Sequence, residues 1–477
     1  MIPFILMCLL AAFVGIVAAR TARFKPKPQP ALTDEEFPFD QEAAVDALVQ
    51  LVRCKTISYN DRTLEDDAEF DKLISLLPGL YPRVFDVCSV QQLPDRALLL
   101  RWPGKEHGDP AVLMAHYDVV PVNEENWEKP PFAGIIEDGI LWGRGTLDTK
   151  VTFNGIFSAA NYLIGKGFQP ENDIYFAFSG GEEVNGKGAP NIVQYFIDHH
   201  IQPAIVVDEG GAVVENVFPG VSYPCGLIGI AEKGMMNVQY RSVSAGGHAS
   251  APKPHTPVGV LAAACKKVED HPFKAHIEGP ASQMFDTLGR YSTLRYRVIF
   301  ANMWCFGWVI DLLGRLSGGE MNALVRTTSA FTQMEGSSAR NVIPPEAKMV
   351  ANMRLNPHDS VASALRYLKK TVNNKDVAIT VLESFEPSPI SETDCPAWNK
   401  VASAVANTWK GCIVAPYLMV QCSDSRHYGK LSNHVYRFSA MDMTAEERAS
   451  IHGNNEKIRV ETIGKAVEFY IRLMKQC

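Results

Sequence analysis

Three short apolar runs in this chain each end in groups that can ionise. Residues 112–115 lead into His116-Tyr117-Asp118, and residues 174–178 pass through Ser179-Gly180-Gly181 to Glu182-Glu183. Residues 204–207 end in Asp208-Glu209-Gly210, and a further acid, Asp148, follows Gly143-Arg144-Gly145-Thr146-Leu147. Singly, each has an ordinary explanation: a lone histidine is usually structural, adjacent carboxylates are usually a solvated face, and an aspartate can cap a helix. Repetition argues otherwise, because unpaired charge behind apolar strands is costly to bury. Metal ions are the simplest partners for so much negative charge. Oxygen and imidazole donors without thiolates suit zinc, manganese or cobalt better than an iron–sulfur or copper-thiolate centre. His116 and Asp118 are two apart on strand-like backbone, so both side chains point the same way. Asp118 can then accept one imidazole proton and fix the tautomer while the other nitrogen binds metal.

Such groups need elements that bring strand ends together. Runs 112–115, 174–178 and 204–207 are too short for helices and lack alternation, as strands buried on both faces do. Helical periodicity marks 151–166 and 191–199, and an earlier helix begins at Gln41 with Ala44, Val45, Leu48, Val49, Leu51 and Val52 on its apolar face. This alternation predicts an α/β domain with a largely parallel sheet, whose ligands gather at the carboxyl ends of its strands. The texture changes near Lys233: 235–243 and 347–355 alternate like half-exposed strands, 258–268 and 360–372 are helical, and 377–382 is another strand. A smaller α+β unit inserted into the first domain is expected. The division is 1–24 for a signal peptide or signal anchor, 25–40 for a linker rich in proline and charge, and 41–232 for the first part of the catalytic domain. The inserted unit occupies 233–356, its last helix and strand running to about 385, and the catalytic domain resumes over 386–477.

Composition narrows the partners. A net charge of −7 supplies no basic surface, so nucleic acid is not an expected partner. No fixed-period repeat supports a solenoid or propeller. Of ten cysteines, one lies in the N-terminal apolar segment, and the odd remainder contains no C-x-x-C pair, so neither a disulfide framework nor a thiolate zinc site is expected. There is no Asn-x-Ser/Thr sequon. The first nineteen residues, MIPFILMCLLAAFVGIVAA, fit a cleaved signal peptide with Val17 and Ala19 before the cut, and so the secretory route. A retained membrane anchor is the alternative, since the run is long enough to approach a spanning helix and Arg20, Arg23, Lys25 and Lys27 follow it.

His116-Tyr117-Asp118-Val119-Val120-Pro121, Gly143-Arg144-Gly145-Thr146-Leu147-Asp148, Gly181-Glu182-Glu183, Asp208-Glu209-Gly210 and Ile451-His452-Gly453 resemble, in this order, the motifs of the M20 metallopeptidases. The resemblance covers nearly the whole chain after Gln41. Trp127-Glu128-Lys129-Pro130-Pro131-Phe132, Asn341-Val342-Ile343-Pro344-Pro345 and Ser423-Asp424-Ser425-Arg426 are similar to the branch containing carboxypeptidase S and the N-fatty-acyl-amino-acid synthase/hydrolases. It implies a di-zinc α/β/α catalytic domain with a smaller α+β lid of the dimerisation type. Asp148 would bridge two zinc ions, with His116 and Asp208 completing one and Glu183 and His452 the other. Glu182 would be the unligated general base, and Asp118 would orient His116. His248, in Gly246-Gly247-His248-Ala249-Ser250, corresponds to an oxyanion-binding histidine that dimeric members receive from the partner subunit, which makes a homodimer compatible with the chain. Asn341 and Arg354 match positions that hold a substrate carboxylate.

Three positions depart from the family pattern. Thr149 follows the bridging aspartate where relatives often carry Asp, at a peptide bond often held cis. Ser179-Gly180-Gly181 precedes Glu182 where the branch often has an acid, and Cys422-Ser423-Asp424 replaces a Thr-Asp version. Neither a ligand nor the base is lost, so hydrolysis of an amide beside a free carboxylate is the expected activity. The preferred substrate is an N-acyl amino acid, particularly an N-fatty-acyl one, cleaved or condensed in reverse. A carboxypeptidase acting on short peptides is the enzymatic alternative, and a zinc-binding carrier or scaffold the non-enzymatic one. Glu182 argues against the carrier, which has no use for an unligated base. Residues 299–316, IFANMWCFGWVIDLLGRL, are apolar on more than one face. They are expected either to fill the lid core or to wall an acyl channel, which would place lipid or membrane near the enzyme.

Overall fold

The computed structural model describes residues 1–216 and 218–477. Its main sheet has eight strands, ordered Ser89–Leu93, Ala97–Trp102, Asn172–Ser179, Glu106–His116, Ile205–Val214, Val435–Met443, Cys225–Glu232 and Ile413–Met419. The middle is parallel: Glu106–His116 pairs in parallel with Asn172–Ser179 and with Ile205–Val214, which pairs in parallel with Val435–Met443. Antiparallel strands flank it, including the Ser89–Leu93 and Ala97–Trp102 hairpin, which the periodicity did not single out.

The absence of alternation in the central strands has a direct cause. Leu113, Ala115, Ile174, Phe176 and Phe178 face one core, beneath helices Gln41–Val52, Lys150–Gly165 and Val460–Met474. Their neighbours Val112, Met114, Tyr175 and Ala177 face a second core on the opposite side, under helix Gly188–Asp198. Both sides are dry, so both sets must be apolar. The parallel register places His116 opposite Ser179. The two strands therefore end level, and their trailing residues emerge at one rim.

A second sheet is four-stranded, ordered Thr328–Glu335, Glu346–Leu355, Gly234–Val243 and Ala378–Phe385, all antiparallel. Alternate residues of Glu346–Leu355 are buried, and helices Pro257–Asp270 and Val361–Val372 cover that face with a separate apolar core. One dry face and one wet face give the period of two. The sheet's last strand ends at Phe385, beyond residue 356.

Residues 279–325 behave differently from expectation. Helices Gly279–Gly289, Leu294–Ala301, Met303–Ser317 and Gly319–Val325 bury Met284, Phe285, Leu288, Phe300, Ile310 and Leu324 in the large core. Gly279–Gly289 packs on strand Ile413–Met419. They do not fill a lid core, because the two helices on the small sheet already occupy its apolar face. The N-terminal helix Ile2–Arg23 is long and apolar enough to cross a membrane, as a signal or an anchor is.

Candidate active site

Strand ends deliver most of the predicted site to one place. His116 closes its strand with its ring buried, and its Nδ1 lies 3.3 Å from Asp118 Oδ1 and 3.1 Å from the Asp118 carbonyl oxygen. Asp118 is itself fixed: Ser58 Oγ donates to it at 2.6 Å, and the backbone N–H groups of Glu182 and Glu183 donate at 3.1 and 3.2 Å. One carboxylate thus ties the histidine loop to the Glu182-Glu183 turn. The Asp148-Thr149 peptide bond is cis.

The donors fall into two sets that share Asp148. Asp148 Oδ1 lies 2.9 Å from His116 Nε2, which is also 3.3 Å from Glu209 Oε1. Asp148 Oδ2 lies 3.0 Å from His452 Nε2, which is also 3.1 Å from Glu183 Oε2. Glu182 joins His116 and Glu209 within metal-ligand reach. Each Asp148 oxygen therefore meets one imidazole, and each imidazole meets one further carboxylate, an arrangement that fits two divalent cations bridged by one aspartate.

The electrostatics agree with that fit. Burial, reinforced by Asp148, pushes the Glu183 carboxyl up to about 7, and burial with Asp148 and Asp208 pushes Glu209 up to about 8. Burial likewise holds Glu182 well above the carboxylate range, with Asp424, Glu209 and Glu183 adding to it. Burial alone would raise Asp148, yet hydrogen bonds from His116 and His452 hold it well below its ordinary value. Those same contacts with Asp148 and Glu183 push His452 up to about 10. Carboxylates crowd around too few cations, which bound metal would correct.

Not every predicted residue arrives. Asp208 and Glu209 are neighbours on an extended strand and point to opposite faces. Glu209 reaches His116, whereas buried Asp208 accepts a hydrogen bond from the Ser425 N–H at 2.9 Å and has Asp424 and Glu232 nearby. Of the two acids, Glu209 is the one brought to His116. His248 sits on a two-stranded ribbon, with Gly247 and His248 paired to Ile343 and Val342, Asn341 lies in the turn just before its second strand, and both residues are exposed. Neither lines the cavity beside the cluster. Arg354 comes closer, donating from Nη1 to Cys422 Sγ at 3.0 Å, and Cys422 does line the cavity. Trp304 and Trp308 are exposed and do not wall that cavity, which corrects the channel expected from 299–316.

Residues without a distinctive local pattern complete the site. Buried Glu456 pairs with Arg144 at 2.6 Å and accepts the backbone N–H groups of Gly145, Leu147 and Asp148 at 3.0, 2.7 and 3.2 Å. Arg144 also donates to the Gly453 carbonyl at 2.7 Å. This pair fastens the Asp148 loop to the His452 loop. Arg426, quoted only within a motif, places its guanidinium 4.0 Å from Glu182. Gly180 packs under Tyr117, where a Cβ would lie 2.7 Å from the ring, whereas at Gly181, directly before Glu182, a Cβ would meet only Gly186 Cα at 3.6 Å, so packing does not explain the missing acid there.

This constellation is that of a metal-dependent amide hydrolase, and the chain belongs to peptidase family M20/M25/M40, whose model matches residues 112–476. It is 35% identical over 444 residues to the N-fatty-acyl-amino acid synthase/hydrolase PM20D1 of Xenopus tropicalis, covering 91% of this chain and 86% of that protein. It is 32% identical over 489 residues to the probable carboxypeptidase S-like protein 2 of Dictyostelium discoideum, covering 100% and 94%. The fold matches the M20 family metallo-carboxypeptidase Sso-CP2 of Sulfolobus solfataricus with a TM-score of 0.66 at 17% identity, over 91% of this chain and 98% of that one. The chain is an enzyme of the hydrolase class, and M20 peptidases are dinuclear metal enzymes.

Proposed function

We propose that this enzyme cleaves, and in reverse forms, the amide bond of N-fatty-acyl amino acids at a two-zinc centre. The observation that carries the reading is the cavity of about 680 Å³ opening from Asp148, Glu182, Glu183 and His452. Beyond those groups its walls include Leu147, Val214, Leu227, Met419 and Met441. That volume is within the range of small-molecule sites, and its apolar walls suit a hydrocarbon chain better than a short polar peptide. Likeness to the Xenopus synthase/hydrolase supports the same class.

His116, Asp148 and Glu209 would hold one ion, and Asp148, Glu183 and His452 the other. Bound there, zinc would polarise the scissile carbonyl and lower the pKa of the attacking water. Glu182 takes the water's proton as the water oxygen bonds to the acyl carbon, then passes it to the departing amine nitrogen. Burial beside Asp424, Glu209 and Glu183 favours the protonated carboxyl, so Glu182 can hold the proton between the two transfers. Arg354 and Arg426, at the cavity edge and beside Glu182, supply the guanidinium that positions the substrate carboxylate. His248 and Asn341 act on the substrate by closure of the ribbon or from a second subunit.

A series of N-acyl phenylalanines from C2 to C16 tests the reading. Each buried methylene is worth up to ~0.8 kcal/mol, so kcat/KM should climb by orders of magnitude along the series. Leu227→Trp, which fills the cavity, should flatten the climb. Equal turnover of acetyl and palmitoyl substrates, or preference for Gly-Leu, would replace this reading with a carboxypeptidase.

A further inference from the structure

We propose that helix Met303–Ser317 is embedded in one leaflet of a lipid bilayer beside a retained, membrane-spanning N-terminal helix, and seats the catalytic cavity on the membrane. An acyl substrate would then enter from the hydrocarbon layer. Substrate entry rests on the acyl reading above, whereas membrane seating does not.

The first support is a continuous apolar surface. Trp304, Trp308, Leu312 and Leu316 recur every four residues along one side of the helix, and are 58%, 64%, 45% and 76% exposed. An outward stripe of that size is unusual on a free soluble surface. The helix carries one acid, Asp311, and that group is paired with Arg315 at 3.0 Å and with Arg326. The preceding helix, Leu294–Ala301, meets Met303–Ser317 at a bend of 114°, and the pair together is apolar enough for a membrane segment. The bend lays the pair down in place of a straight span.

The second support fixes the occupant as lipid. Helix Ile2–Arg23 has 22 residues, about 33 Å at 1.5 Å per residue, which matches a hydrocarbon core of ~30 Å. It docks at its C-terminal end on the junction of the bent pair. Asn302 Nδ2 donates to Val17 O at 3.3 Å and to Thr21 Oγ1 at 3.1 Å, and Arg20 Nε donates to Ala301 O at 3.2 Å. Asn302 is buried in the presence of this helix, which supplies two of the three acceptors of its Nδ2, the third being Val298 O at 2.9 Å. Phe13 packs edge-on against Trp304 at 6.0 Å between ring centroids. Phe13 lies seven residues before Arg20, roughly 10 Å up the helix. If Arg20, Arg23, Lys25 and Lys27 mark the headgroup level, Trp304 stands in the hydrocarbon beside Phe13. The stripe it begins is then continuous with the membrane helix.

The third support links that face to the chemistry. After Ser317 the chain turns through Gly318 and Gly319, both at positive φ, into helix Gly319–Val325. Gly319, Glu320 and Ala323 line the same cavity as Asp148, Glu182, Glu183 and His452. One glycine turn therefore separates the exposed Leu316 from the cavity wall.

The test uses the full chain in phosphatidylcholine vesicles. A benzophenone amino acid placed at 308 or at 312 should form adducts with lipid on irradiation, and one placed at exposed Val243 on the small sheet should not. Adducts to a second protein chain, or none at 308 and 312, would overturn the proposal, as would recovery from cell membranes of a chain lacking residues 1–19. The double variant Trp308→Glu, Leu312→Glu should lose at least 10-fold in kcat/KM on vesicle-held oleoyl-phenylalanine and keep its rate on water-soluble butanoyl-phenylalanine. Equal loss on both substrates, or none, would overturn membrane entry. If lipid adducts form but the unmodified enzyme ignores oleoyl-phenylalanine, the acyl reading fails and the seating stands. If oleoyl-phenylalanine is turned over but no adducts form, the seating fails and the acyl reading stands.

Discussion

The strand-end cluster and the ribbon carrying His248 are built on opposite plans. In the cluster each donor is held by groups that are themselves held: Ser58 and two backbone N–H groups fix Asp118, which meets His116. Glu456 and Arg144 fix the loops of Asp148 and His452. On the ribbon, exposed His248 has a local partner, Ser250 Oγ at 2.7 Å, beside a short pairing to Val342. A preorganised charge array needs rigid support, whereas a group that must meet the substrate late can wait in solvent. The cluster is a finished half-site, and the ribbon stands apart from it, exposed to solvent.

The largest expected effect falls on the finished half. Glu182→Gln keeps size and polarity but cannot accept a proton, and should lower kcat by ~10²–10⁴-fold while metal content is unchanged. Near-normal turnover with full metal would remove Glu182 from the mechanism. The next effect belongs to the ribbon. His248→Ala should cost about 10²-fold in kcat and leave metal affinity alone, because His248 stands apart from the cluster. If His248 acts across subunits, mixing the His248→Ala and Glu182→Gln proteins should restore activity that neither has. A His248→Ala enzyme with unaltered kcat would reduce the ribbon to a structural feature.

Supports should matter less than ligands. Glu456→Gln removes the charge that faces Arg144 and weakens its grip on three backbone N–H groups. Metal affinity should fall ~10–100-fold, as for other groups that orient ligands. Leaving Arg144 buried without its carboxylate should also destabilise the fold by ~3–5 kcal/mol. Calorimetric titration of metal and thermal unfolding check both, and unaltered affinity would show that the loops hold themselves.

The same contrast explains what the sequence made legible. Central strands were readable because burial on two faces leaves unbroken apolar runs, and the donors were readable because they follow those runs. Glu456 was not, since its significance lies in meeting Arg144 over a separation of 312 residues. The apolar run 299–316 looked like a wall or a core. Only the fold reveals that Phe300 and Ile310 face the large core while Trp304 and Trp308 face outward. Periodicity finds an apolar side of a helix; it cannot say what covers it.

Asp208 and Glu209 give the finest test of the finished half. Alternation places the two acids on opposite sides of the strand, and the family resemblance implies that Asp208 is the one at the metal. Glu209 Oε1 lies 3.3 Å from His116 Nε2, and Asp208 accepts the Ser425 N–H on the other side. Glu209→Gln should therefore weaken the His116-side ion by roughly 10-fold or more, an effect of the size seen when a ligand environment is damaged. Asp208→Asn retains an acceptor for Ser425 and should shift metal affinity by no more than about threefold, within the scatter of a neutralised neighbouring charge. Its effect should show instead as a modest change in melting temperature. The reverse ranking, with Asp208→Asn emptying one site and Glu209→Gln leaving both filled, would mean that the strand rotates its acids on metal binding. The cluster would then be less finished than its hydrogen bonds suggest, and its contrast with the ribbon would narrow to a difference of degree.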